Sequence, residues 1–236
     1  MSSPRRAASD GVGSDDGAPT DASRTKSGSR STGPVAPAVG VGPHPRPWPD
    51  DDRLDPDLLC DGDRRNVVDR YRYWRVDAIV ADLDTRRHPV HVAIENWEHD
   101  FNIGTVVRNA NAFNVAGVHV VGPHRWDRRG AMSTHRYLHL HHHPGVEEFA
   151  SWASTSGNVV VAVDNVEGSA PIESTPLPST CVLVFGQEGP GLSTEMLAVA
   201  DRVVAITQYG STRSLNAGVA SGIALYAWAT AHVAPA

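Results

Sequence analysis

Cys181-Val-Leu-Val-Phe-Gly-Gln-Glu-Gly-Pro-Gly-Leu-Ser193 joins five consecutive apolar residues to a turn that holds three glycines and a proline. An apolar run of this length without polar alternation predicts a strand covered on both faces, the situation of strands in parallel sheets. Val159-Val-Val-Ala-Val163 repeats the pattern, and Val90-His-Val-Ala-Ile-Glu95, Val118-His-Val-Val121 and Val203-Val-Ala-Ile206 read as further strands. Between them lies helical spacing. Ile103, Val106, Val107, Ala110 and Phe113 share one helical face, with Gly117 expected to end that helix. Further helices are expected near Val146–Ser154, near Thr194–Val199 and from about Leu215 to His232. Strands alternating with helices predict an α/β fold, a mostly parallel sheet with helices on both faces. The last helix is full of small residues (Ala217, Gly218, Ala220, Ser221, Gly222, Ala224), which permit another backbone to approach, within the domain or across a dimer.

Upstream the character changes. Residues 1–45 contain no Leu, Ile, Phe, Tyr or Trp, so they cannot bury enough apolar surface to offset their ordering entropy and are expected to be a disordered tail. Residues 46–88 are expected to be a linker and an Arg-rich extension, helical in part. Val67, Val68, Tyr71, Trp74, Ala78 and Val80 would form its apolar stripe, and Arg64, Arg65, Arg70, Arg72 and Arg75 a basic one. Residues 89–236 would then be the α/β domain. No run of apolar residues is long enough for a membrane-spanning helix, Arg5-Arg6 is not followed by an apolar stretch, and Cys60 and Cys181 lack metal spacing. The expectation is a cytoplasmic protein with no membrane partner.

The formal net charge of −6 conceals an uneven distribution. Residues 64–143 carry 12 basic and 8 acidic side chains and 10 of the 12 histidines, whereas residues 144–236 carry 2 basic and 8 acidic ones. A basic middle between acidic ends is a candidate polyanion footprint. Within it Arg125, Arg128, Arg129 and Arg136 are expected to meet the phosphates of such a polyanion, with Trp126 and Tyr137 available for base stacking if it is a nucleic acid. The neighbouring His139-Leu-His-His-His143 would place His139, His141 and His143 on one face if extended. No carboxylate or cysteine stands at ligand spacing beside them, so no metal is expected.

Three segments carry candidate chemistry, each beside a strand end, where open α/β sheets bind ligands. In Asn102-Ile-Gly-Thr-Val-Val-Arg108, Asn102 is a candidate N-cap, Gly104 allows close approach, and Arg108 lies off the apolar face, free to meet an anion. Gly186-Gln-Glu-Gly-Pro-Gly-Leu-Ser193 exposes backbone N–H groups and places a carboxylate, Glu188, in a tight turn; it is neither a dinucleotide fingerprint nor a P-loop. Ile206-Thr-Gln-Tyr-Gly-Ser-Thr-Arg-Ser-Leu-Asn216 runs from a buried strand into a helix start, where Ser214 and Asn216 can cap the helix or contact a ligand.

In this order the three segments resemble the SpoU (TrmH) family of SPOUT RNA methyltransferases, over about Pro89 to His232. Asn102, Gly104 and Arg108 match the first motif, Gly186, Glu188 and Gly191 the second, and Ser214, Leu215 and Asn216 the third. The third departs from the family pattern at Thr207, where proline is usual, and at Ala217-Gly218, where Val-Ser is usual. The resemblance implies an α/β knot, a C-terminal trefoil knot in which S-adenosylmethionine lies bent. The cofactor would be held near Asp164, Gly186, Gly191, Ile206, Ser214 and Leu215. It also implies a homodimer, methyl transfer to a ribose 2′-hydroxyl of RNA (transfer RNA slightly before ribosomal RNA), and a catalytic set of Arg108, Asn102, Glu188, Ser214 and Asn216. The competing expectations are a base methyltransferase of the same fold and a non-catalytic RNA-binding or assembly protein.

Overall fold

The computed structural model describes residues 40–97, 102–123 and 125–234. The expected disordered tail lies outside them up to residue 39. Its last residues, 40–45, do not fit that expectation: Val41 exchanges both backbone hydrogen bonds with Asp63, at 2.9 Å each, and the His44 N–H donates to Leu59 O at 2.9 Å. These bonds need no apolar side chains, so composition could not reveal them.

Among the described residues one sheet forms from β1 (His88–Glu95), β2 (Val115–Val121), β3 (Leu140–His143), β4 (Val159–Val163), β5 (Ala170–Pro171), β6 (Cys181–Phe185) and β7 (Arg202–Ala205). Its order is β3-β2-β1-β6-β4-β7-β5 and every pairing is parallel. The helices are α1 (Pro56–Asp61), α2 (Val76–Asp84), α3 (Ile103–Ala112), α4 (Val146–Ser156), α5 (Thr194–Val199) and α6 (Ala217–His232). Alternation along the strands divides the core. Val90, Val92, Ile94, Val118, Val120, Leu183 and Phe185 pack with α3 and α6. Ala93, Val121, Val160, Ala162, Val182 and Val184 pack with Phe149 of α4 and Met196 of α5 on the other face. Helices on both faces satisfy the buried valine-rich strands.

Gly117 does not end α3. That helix stops at Phe113, Asn114 takes a left-handed turn (φ 47°), and Gly117 lies inside β2 in register with His91. The polar run Leu140–His143, not among the expected strands, is extended and forms the edge strand β3.

The Arg-rich extension packs against the sheet domain: residues 38–236 form one compact unit. Its anchor is a small cluster of Tyr71, Ile79 and Tyr137, against which Val67 and Trp74 of the expected stripe also pack, whereas Val68 is exposed. Arg87 fastens it by donating to Tyr137 O at 2.9 Å while pairing with Asp84 at 2.6 Å.

Candidate functional site

The three motifs converge through one side chain. Asn216 is the N-cap of α6, its Oδ1 accepting from Gly218 N at 2.9 Å and Val219 N at 3.3 Å. Its Nδ2 donates to Asn102 Oδ1 at 2.7 Å and to Glu188 Oε1 at 2.9 Å. Asn102 occupies the N-cap position of α3 but makes no capping bond to that helix; its oxygen serves Asn216 instead. An amide suits this junction because it alone combines two N–H donors with an acceptor.

The glycines do a different job from the one expected. A Cβ on Gly104 would lie 2.6 Å from Gly130 Cα and 2.8 Å from Ala131 N, so what approaches the first turn of α3 is the protein's own Arg128–Ala131 turn. Gly186 is likewise closed by the backbone of Gly191 and Leu192. Gly191 has φ +74°, a conformation that favours glycine, and a Cβ there would sit 2.7 Å from Asp164 Oδ2. That Asp164 oxygen accepts from Leu192 N at 2.8 Å, and its partner oxygen accepts from Asn165 N at 2.7 Å. The Asp164 carboxylate therefore braces the turn.

Between these segments lies a cavity of about 700 Å³. Asp164, Gly186, Glu188, Gly191, Ser214 and Leu215 line it, with Val163, Phe185, Ala217 and Ala220 as apolar wall. A narrow extension of about 70 Å³ is walled by Ile206 and Gln208. Of the six residues expected to hold a cofactor, Ile206 borders the small pocket that shares Asp164, Ser214 and Leu215 with this cavity, and the other five border the cavity itself. Its chemistry fits S-adenosylmethionine: apolar surface for the purine, backbone groups and carboxylates for the polar ends, and the buried Gln208 Oε1, which has no partner among the described residues, as a spare acceptor.

Arg108 is not among the lining residues. It stands exposed on α3, with no ion pair or hydrogen bond among the described residues. The Gly104–Gly130 contact brings the arginine-bearing turn against the start of this helix. Arg125, Arg128 and Arg136 are exposed without ion pairs among the described residues, whereas Arg129 pairs with Asp127 at 2.7 Å. Tyr137 is not available for stacking: it is 5 % exposed and belongs to the extension's anchor. Trp126 is half-buried against the main core.

The extension's arginines are neutralised locally. Arg65 pairs with Asp63, Arg70 and Arg86 with Asp82, Arg72 with Asp69, and Arg75 with Asp77, leaving Arg64 of the expected basic stripe without an ion pair among the described residues. Asp63 is fully buried; burial alone would raise its pKa, but Arg65 and the N–H of Tyr73 outweigh that and hold it at about 2.

Two clusters escaped sequence reasoning. His91 Nδ1 lies 3.1 Å from His119 Nε2, and His119 Nδ1 lies 2.9 Å from His143 Nε2, with His141 stacked on His119 and Trp152 covering them. His139 leaves the group and pairs with Asp84 at 2.9 Å. Burial, then the neighbouring imidazoles, lower His91 to about 4 and His119 to about 2. No group of three or more His, Cys, Asp or Glu side chains among the described residues is arranged to hold a metal ion. The second cluster is the fully buried Glu95, which accepts from Trp97 Nε1 at 2.8 Å, Ser193 N at 2.7 Å and Ser193 Oγ at 2.7 Å. Its strand position, on the face opposite Val90, Val92 and Ile94, was the available signal.

Residues 89–226 match the profile of the SpoU rRNA methylase family. The chain is 28 % identical over 156 residues to the tRNA (guanosine(18)-2'-O)-methyltransferase of Thermus thermophilus, covering 62 % of this chain and 78 % of that one. It is 30 % identical over 162 residues to the enzyme of the same name from Escherichia coli, covering 66 % and 68 %. Among solved structures it superposes on an AdoMet-bound rRNA methyltransferase from Sinorhizobium meliloti with a TM-score of 0.55 and 26 % identity, over 64 % of this chain and 59 % of that one.

Proposed function

Since the chain belongs to the SpoU rRNA methylase family, we propose that it transfers the methyl group of S-adenosylmethionine to a ribose 2′-hydroxyl of RNA, with transfer RNA favoured over ribosomal RNA. The observation that carries this reading is the junction at Asn216, which ties all three motifs together and reaches the cavity through Glu188. We place the cofactor in that cavity, where the family resemblance implies the knot. When bound, S-adenosylmethionine supplies an electrophilic methyl group and leaves as the thioether.

The chain's own residues must bring the hydroxyl in line and help it lose its proton. To the ribose we assign Glu188 and Ser214, which line the cavity, with Asn216 and Asn102 joined to Glu188 by hydrogen bonds. A guanidinium offers only donors and no acceptor, so Arg108 acts as a cation and hydrogen-bond donor and not as a base. It holds the adjacent phosphate and stabilises the developing alkoxide, while the proton passes to a phosphate oxygen or a water. Arg125, Arg128 and Arg136 extend the phosphate-binding surface from the neighbouring turns.

Because Arg108 does not line its own chain's cavity, we further propose a homodimer in which a second copy presents its Arg108 there. Leu215, Val219, Ile223 and Tyr226 support this: they are exposed to between 38 % and 65 % and form an apolar stripe along α6. No described helix is long and apolar enough to cross a membrane, and we assign the protein to the cytoplasm. Nucleoside mass spectrometry of transfer and ribosomal RNA, with and without the gene, tests the reading. Loss of one 2′-O-methylated nucleoside is the expected result. A lost base-methylated nucleoside, or no change despite cofactor binding, would favour the base-methyltransferase or binding-protein alternatives.

A further inference from the structure

A second large cavity, about 760 Å³, opens on the other face of the sheet between α4 and α5. We propose that this cleft is an RNA subsite that takes one unstacked nucleobase of the bound substrate, guanine by preference; the proposal rests on the methyltransferase reading above.

Trp97 forms one wall, and its ring is fixed. The indole N–H is held by Glu95, and the backbone N–H donates to Gln187 Oε1 at 2.9 Å. A fully buried carboxylate with three neutral donors, and no cation among the described residues, is an expensive arrangement. What it secures is a rigid aromatic plane beside an open cleft. Val146, Ala150 and Val199 supply apolar wall. Every base has a π-face, so an aromatic plane in an apolar slot takes a base that has left its stack.

The rim selects among occupants. Its charged groups are Glu147 and Glu195, both exposed, in the first turns of α4 and α5, with no ion pair among the described residues. Two carboxylates repel phosphate, so a nucleotide enters base first. Guanine alone among the four bases offers two adjacent donors, N1–H and the 2-amino group, to the two oxygens of one carboxylate.

Position links the cleft to the reaction. The segment after β1 carries both Trp97 and Asn102, and the turn after β6 touches Trp97 through Gln187 while touching Asn216 through Glu188. RNA lying over these strand ends would meet both sites.

The test titrates the full-length protein with guanosine 5′-monophosphate, following tryptophan fluorescence against Trp97→Phe. Quenching should depend on Trp97. It should weaken roughly tenfold for inosine 5′-monophosphate, which lacks the 2-amino group, and roughly tenfold in Glu147→Gln or Glu195→Gln. In methylation assays Trp97→Ala should raise the KM for RNA roughly tenfold with little change in kcat, while Trp97→Phe, which keeps a ring, should cost much less. A protein that binds S-adenosylhomocysteine but shows no Trp97-dependent response to guanosine 5′-monophosphate overturns the subsite alone. So does quenching by spermidine in place of nucleotides, which would mark an amine site. A protein that binds neither S-adenosylhomocysteine nor nucleotide overturns the methyltransferase reading and the subsite with it.

Discussion

Acidification from about pH 7.5 to about pH 5.5 should destabilise the fold through the histidines of β1, β2 and β3. In the unfolded chain each imidazole takes up a proton near its ordinary value of 6.5, whereas in the fold His91 does so only near 4 and His119 near 2. Burial is the leading cause for both, followed by the neighbouring imidazoles. His141 and His143 are lowered in the same sense, with Glu148 partly opposing the shift at His143. Between these values the unfolded state binds more protons, so stability is present above about pH 6.5 and is lost as the pH falls. Each fully shifted group contributes about 1.4 kcal/mol per pH unit below 6.5. Discounting His91 for its partial exposure, the pair should cost about 2 kcal/mol across this interval, or on the order of 5 °C in melting temperature. Asp51, Asp63, Asp82, Asp84 and Asp127, held below the usual carboxylate range by hydrogen bonds from arginine or tyrosine partners, stay ionised in this window and contribute little. Thermal or urea unfolding at fixed ionic strength measures the effect, and His119→Gln supplies the control: its pH slope should drop by about one proton whatever its absolute stability. A melting temperature that stays flat over the interval, or a slope that His119→Gln leaves unchanged, would refute the reasoning.

Arg108→Ala should abolish methylation while leaving S-adenosylhomocysteine affinity and melting temperature near wild type, because the side chain is exposed and absent from the cavity wall. Calorimetry and a methylation assay on the same preparation check both halves. Asn216→Ala removes the α6 cap and the bridge between the motifs, and should cost about 1–2 kcal/mol together with most of the activity. Asn216→Asp keeps the capping oxygen but sets a carboxylate against Glu188, so it should restore stability more than turnover. Gly104→Ala should lose about 1–3 kcal/mol in denaturant titrations, since its Cβ meets backbone of the Arg128–Ala131 turn and not a movable side chain. Arg65→Ala strands the buried Asp63 carboxylate and should cost about 3 kcal/mol, partly recovered in the Asp63→Asn, Arg65→Ala double variant.

What could be read from the sequence, and what could not, divides on a physical line. The strands at 159–163 and 181–185 and helices α3 to α6 announce themselves through apolar runs and helical spacing, both local patterns that need no partner. β3 does not, because Leu140-His-His-His143 becomes a strand only by pairing with β2, which sets His119 beside His141 and lets neutral imidazoles behave as core. Tyr137 and Trp97 were likewise opaque. One is claimed by an extension far upstream in the chain, and the other is held by a carboxylate that must first be buried. The extension's arginines looked like a basic stripe for the same reason: the aspartates that pair with them stand at irregular spacings, Asp63 close to Arg65 but Asp82 well beyond Arg70, that no periodicity marks.

The three motifs sit on both sides of this line. Their residue types and order were legible, but their division of labour was not. Gly104, Gly186 and Gly191 close the protein onto itself, Asp164 braces the turn they form, and Asn102 and Asn216 bind each other across the fold. Substitution at any of these six would register as lost architecture before it registered as lost chemistry. Arg108, Glu188 and Ser214 are exposed, and among the motif residues it is there that a variant can separate catalysis from folding. Of the three, Arg108 alone stands outside the cavity. If a second copy supplies it, mixing an Arg108→Ala chain with a Glu188→Ala chain should restore methylation that neither variant shows by itself. Cavity and arginine would then meet intact at one of the two sites of the mixed dimer. Failure of that mixture to recover activity, with heterodimers shown to form, would return Arg108 to its own chain's cavity and require α3 to move when RNA binds.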